Sequence, residues 1–127
     1  MSVSKITVLV VDDRPDVRLS LLYMLEASGY DVCEAGDGRE AIAVIAKRKV
    51  DVVLTDLFMP VMGGLELLAA IRNRPGPHPR VIAMTGSGSI ENPVVRSAIE
   101  QLGPSGVLQK PFTREHLITA IGNADRR

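Results

Sequence analysis

The sequence predicts an α/β fold: a parallel five-stranded sheet with helices on both faces. Three observations carry this. Short runs rich in β-branched residues recur five times, apolar enough to be strands buried on both faces. Apolar residues at helical spacing follow each run. Gly, Pro, Asp and Asn punctuate the junctions.

The elements follow in order. Ile6–Val11 reads as the first strand. Asp13 is placed to cap the next helix, with Pro15 in its first turn. Val17, Leu21, Leu22 and Leu25 give that helix its apolar stripe, and Ser28-Gly29 ends it. Asp31–Ala35 is a short second strand, and Asp37-Gly38 opens a helix through Ala41, Ile42 and Ile45. Residues 50 to 56, "VDVVLTD", form the third strand. Gly63-Gly64 leads into a helix from Leu65 to about Arg72, and "PGPHP" at 75 to 79 is a loop. Arg80–Met84 is the fourth strand. Asn92 caps a helix whose first residue is Pro93 and which runs to about residue 102. Gly106–Gln109 is the fifth strand, and Thr113 caps a last helix that runs to about Ala124.

Composition narrows the function. A chain of 127 residues fits one domain, here taken as residues 1–127, large enough to fold without disulfides. Fifteen basic and fifteen acidic residues cancel, so no charge excess points to nucleic acid or a membrane surface. Tyr23, Tyr30, Phe58 and Phe112 are the only aromatics, too few for a base-stacking platform. No stretch approaches the roughly 18 apolar residues of a membrane span. The single Cys33 has no disulfide partner and reads as a small core residue, which fits a reducing, cytoplasmic setting. His78 and His116 lack a Cys or His at metal spacing and read as surface residues. The "GSGS" loop at 86 to 89 has Glu91 where a dinucleotide loop needs its third glycine, so it reads as a flexible connection.

Open parallel sheets bind ligands beyond the carboxyl ends of their strands. Asp12-Asp13, Asp56, Thr85 and Lys110 all stand at such ends. Three carboxylates on one edge repel each other, and a hard divalent cation relieves that repulsion. Mg²⁺ prefers a few carboxylates with waters and phosphate oxygens. A lysine and a threonine hydroxyl beside it can clamp phosphoryl oxygens. An aspartate can itself be the nucleophile, giving an aspartyl phosphate. The set suits phosphoryl transfer onto a protein carboxylate.

The chain resembles the receiver domains of two-component response regulators, including the stand-alone chemotaxis type. "VLVVDD", "DVVLTDLFMPVMGGLEL", "VIAMTG" and "LGPSGVLQKPF" match the family's motifs in order, over roughly residues 5 to 124. The resemblance implies a flavodoxin-like strand order 2-1-3-4-5. It makes Asp56 the acceptor of a phosphoryl group from a histidine kinase or histidine phosphotransfer protein. It assigns Mg²⁺ to Asp13, Asp56 and the backbone carbonyl of Phe58, with Asp12 acting through a bound water. It also implies that Thr85 and Lys110 contact the phosphoryl group and that the Lys110–Pro111 bond is cis. A downstream protein that the sequence does not name reads the altered surface. The resemblance implies a domain that is not an enzyme in the ordinary sense and catalyses only its own phosphorylation and slow dephosphorylation.

Two departures bear on the switch. Val107 stands where the family usually has a rotating aromatic, and Thr85 to Lys110 spans about three residues more than is usual. Both leave the chemistry intact and put the output coupling in question, with the loop 86–92 as the substitute moving part. No output domain follows residue 124, so the chain reads as a stand-alone receiver, a phosphoryl sink or shuttle, or a domain cut from a larger regulator. Two rival readings are a phosphorylation-independent interaction module and an aspartate-nucleophile phosphohydrolase. The second needs an acid two residues past the nucleophile, where Phe58 stands.

Overall fold

The computed structural model describes residues 5–86 and 91–125. The elements alternate as β1 (Thr7–Val11), α1 (Pro15–Ala27), β2 (Asp31–Ala35), α2 (Gly38–Lys47), β3 (Val52–Asp56), α3 (Gly64–Arg72), β4 (Arg80–Thr85), α4 (Pro93–Leu102), β5 (Gly106–Gln109) and α5 (Arg114–Ala124). The strands form one sheet in the order β2-β1-β3-β4-β5, every neighbouring pair parallel. The expected α/β class and order are thus both observed.

The sheet separates two apolar cores. On one face Val8, Val10, Leu54, Ile82 and Met84 pack with Leu21 and Leu25 of α1 and Leu117 and Ile121 of α5. On the other, Leu9, Val11 and Val53 pack with Ala41 of α2 and Leu67, Leu68 and Ile71 of α3. Alternate residues of β1 serve opposite cores, which is why the run needs no polar position. Cys33 packs at the edge of the second core. Burial is the main effect pushing its thiol above the ordinary range, so it stays protonated at neutral pH. Because the folded state favours the protonated thiol, this contribution to stability is lost as pH rises through the folded-state value.

Most helix ends carry the expected signals. Asp37 accepts from the Glu40 amide at 3.0 Å, and Asn92 accepts from the Val94 amide at 2.9 Å. Thr113 accepts from the His116 amide at 3.1 Å, and His116 closes a capping box, a task its surface position did not suggest. The expected cap of α1 is different. The residue before the helix is Arg14, and no side chain caps the helix there. Asp12 rather than Asp13 turns back, its Oδ1 accepting from the Arg14 amide at 2.9 Å. This two-residue Asx turn uses the buried carboxylate and leaves Asp13 in the acidic cluster described below. Strand ends move slightly: β1 and β3 start at Thr7 and Val52, and β4 includes Thr85.

Candidate functional site

Parallel strands of four to six residues bring their carboxyl ends to one edge. Asp12 directly follows β1, Asp56 ends β3, Thr85 ends β4 and Lys110 directly follows β5. The register locks these positions: Val11 lies beside Thr55, Asp56 beside Met84 and Thr85 beside Gln109. The Lys110 amide then donates to the Thr85 carbonyl at 2.8 Å. The Lys110–Pro111 bond is cis.

Asp12, Asp13 and Asp56 each offer one oxygen, and these atoms lie within 4.8 Å of one another. Lys110 Nζ lies 3.2 Å from Asp56 Oδ2 and 3.4 Å from Asp12 Oδ2. Asp12 is fully buried, Asp56 half-buried and Asp13 exposed, so the cluster opens to solvent on the Asp13 side. Three carboxylates against one ammonium leave a formal charge of about −2, which one divalent cation balances. An all-oxygen donor set with room for water suits a hard cation such as Mg²⁺ rather than zinc or copper.

Thr85 is fully buried, and its Oγ1 donates to the Leu108 carbonyl at 3.5 Å, the long limit of such a bond. Val107 pairs with Ala83 in the register and is partly exposed at 37%. The loop 86–92, expected to move, lies at positions 87–90 outside the described residues.

The backbone at Asp56 is held by neighbours to which the sequence assigns no such task. Thr55 Oγ1 donates to the Asp56 carbonyl at 2.9 Å, and the Gly64 amide donates to the Leu57 carbonyl at 2.9 Å. Arg18 donates through Nη1 to the Asp12 carbonyl at 2.7 Å and pairs through Nε with Glu34 at 2.8 Å. The signal was available: Arg18 lies one turn into a helix that starts at this edge, so its long side chain reaches back to the strand ends.

Val61, in the loop after β3, has φ 73°, a left-handed conformation costly for a β-branched residue. Its side chain is 70% exposed, so substitution forfeits little burial. Val61→Asn is expected to raise stability by about 1 kcal/mol, a gain of roughly 3–6 °C in Tm. Thermal unfolding measures it, and an unchanged or lowered Tm contradicts the assignment of strain.

The sheet order, and an acidic cluster with a lysine and a threonine at one of its edges, are what the resemblance to receiver domains implies. The chain belongs to the response regulator receiver domain family, whose model matches residues 8–122. It is 36% identical over 119 residues to a probable chemotaxis protein CheY of Rhizobium etli, covering 92% of this chain and 90% of that one. It is 33% identical over 116 residues to the CAI-1 autoinducer sensor kinase/phosphatase CqsS of Vibrio cholerae, covering 90% of this chain but 16% of that protein. Among solved structures, the chemotaxis response regulator CheY4 of Vibrio cholerae superposes with a TM-score of 0.85 at 33% identity, covering 95% of this chain and 99% of that one. A putative response regulator from Chloroflexus aurantiacus gives a TM-score of 0.87 at 28% identity, covering 98% and 100%. The chain spans half or less of several curated relatives, as with the 50% of the Mycobacterium tuberculosis regulator TcrX. Among the described residues no helix is long and apolar enough to cross a membrane. The chain is thus a receiver domain of two-component signalling.

Proposed function

We propose that Asp56 is the phosphoacceptor and that Asp12, Asp13, Asp56 and the Phe58 carbonyl hold the Mg²⁺ that phosphoryl transfer requires. The observation that carries this is Lys110 Nζ lying between Asp56 at 3.2 Å and Asp12 at 3.4 Å beside a third carboxylate. When bound, Mg²⁺ supplies charge neutralisation for the phosphoryl oxygens. An Asp56 carboxylate oxygen attacks the phosphorus of a phosphohistidine. The new O–P bond forms as the N–P bond breaks, and the imidazole leaves with the bonding pair. Lys110 exchanges a carboxylate oxygen for a phosphoryl oxygen, a short movement for a flexible ammonium. Thr85 exchanges its long bond to Leu108 for a charge-assisted one to the phosphoryl group.

The donor is a histidine kinase or histidine phosphotransfer protein. A depression of about 360 Å³ beside Lys110, lined in part by Val17, Leu21, Met24 and Phe112, suits an apolar helix face of that donor. Incubation with acetyl phosphate and Mg²⁺ tests the reading: intact mass should rise by one phosphoryl group, and chelation should block the gain. No gain, or one indifferent to chelation, refutes it.

Phe58 is 55% exposed, two residues past the acceptor, and has no group to orient a hydrolytic water. Slow self-dephosphorylation is therefore expected. Phe58→Asn should speed it roughly tenfold, a modest share of what a positioned polar group can contribute. Decay of the labelled protein followed by mass measures this, and an unchanged or slower rate counts against it.

A further inference from the structure

The opposite edge of the sheet, where the strands begin, carries a second concentration of charge. A cleft of about 590 Å³ opens between the end of α2 and the loop joining α3 to β4. Arg48, Lys49, Arg74 and Arg80 line it, with Asp51 as its one carboxylate. The whole chain is neutral, so this is local segregation of charge.

Asp51 Oδ2 accepts from the Thr7 amide at 2.8 Å and its Oδ1 lies 4.0 Å from Lys49 Nζ, so this carboxylate offsets Lys49. Arg48 pairs with Asp31 at 2.9 Å, outside the cleft lining. Arg74 and Arg80 have no carboxylate partner among the described residues. Helix dipoles explain basic residues at the ends of α2 and α3. They do not explain Arg80, which starts a strand. The carbonyl of Arg74 is also already bonded by the His78 ring.

Apart from His78, the remaining walls are apolar: Ile45, Val50 and the prolines Pro75, Pro77 and Pro79. The prolines fix φ, and Gly76 supplies the one left-handed turn at φ 86°, so the loop is preshaped. The volume lies within the usual range for small-ligand sites. Unpaired guanidinium groups select phosphates, and flat apolar walls select a planar body.

We propose that this cleft binds a small ligand of the nucleotide class, its phosphates held by Arg74 and Arg80 and its base against the prolines. The cleft lies a full strand length, roughly 15 Å, from Asp56. A ligand held there makes no direct contact with the Asp56 side chain.

Titration of the ¹⁵N-labelled protein with ADP and, separately, with pyrophosphate tests this. Amide shifts should move at 48–51 and 74–80, with ADP binding more tightly than pyrophosphate. Arg74→Ala and Arg80→Ala should each weaken ADP binding by ~10-fold or more, while Asp56→Asn leaves it unchanged. Absence of shifts in the cleft, or full binding by both arginine variants, overturns the proposal. Equal affinity for ADP and pyrophosphate removes the base from the site and overturns the ligand class. Tighter binding of a short single-stranded oligonucleotide than of ADP also overturns it, by assigning the surface to nucleic acid.

Discussion

Gly64→Ala is expected to lower stability by about 2 kcal/mol and to displace the acceptor strand end. A β-carbon on Gly64 would lie 2.2 Å from the Asp56 carbonyl oxygen and 3.0 Å from Leu57 Cα. Both obstacles are backbone, so no rotamer change relieves them. The Asp56 carbonyl is also held by Thr55 Oγ1, and the Gly64 amide is bonded to Leu57. The clash costs about 3 kcal/mol, and alanine's better helix propensity returns up to about 1. With a urea slope of about 1–3 kcal/mol per molar, the midpoint should fall by roughly 1 M. Phosphoryl uptake should slow as well, because the backbone that moves carries Asp56. An unchanged midpoint with normal uptake would show that the helix start can shift without cost.

Asp13→Asn is expected to act in opposite directions on stability and on metal binding. Without metal, the variant loses a repulsive carboxylate from a cluster whose oxygens lie within 4.8 Å. Asp13 is exposed, so the gain is screened to on the order of 1 kcal/mol. With saturating Mg²⁺ the native protein gains RT ln(1 + [Mg²⁺]/Kd), about 2.7 kcal/mol at a hundredfold excess over Kd. Most of that gain should vanish in the variant, because one of the three carboxylates proposed to hold the ion is gone. Thermal melts with and without Mg²⁺ measure both effects. A variant less stable than the parent without metal, yet equally stabilised by Mg²⁺, contradicts the assignment.

The sheet was legible because its strands are buried on both faces. Val8 to Val11 face two cores, so the run is apolar without alternation and stands out. Helix α4 was legible from Asn92-Pro93, whose cap geometry the structure reproduces. The start of α1 was not, because Asp12 and Asp13 are equally good capping residues and neither caps the helix. Only the fold decides that Asp12 is the buried one. The convergence of Asp12, Asp13, Asp56 and Lys110 followed from strand periodicity together with the rule for carboxyl ends. Contacts that depend on side-chain reach leave no periodic trace, and that of Arg18 with the Asp12 carbonyl was signalled only by its place one turn into a helix that starts at this edge. The closeness of Gly64 to Asp56 was hidden too, since Gly63-Gly64 reads equally well as an ordinary helix start. The basic cleft joins residues some thirty positions apart, and overall neutrality masked it.

The measurement that bears most directly on the phosphoacceptor assignment is the intact mass of two proteins after identical exposure to acetyl phosphate and Mg²⁺. The parent should gain one phosphoryl group, and Asp56→Asn, which keeps the shape beside Lys110 but lacks the nucleophilic carboxylate, should gain none. Undiminished labelling of Asp56→Asn, or a second phosphoryl group on the parent, would contradict the account.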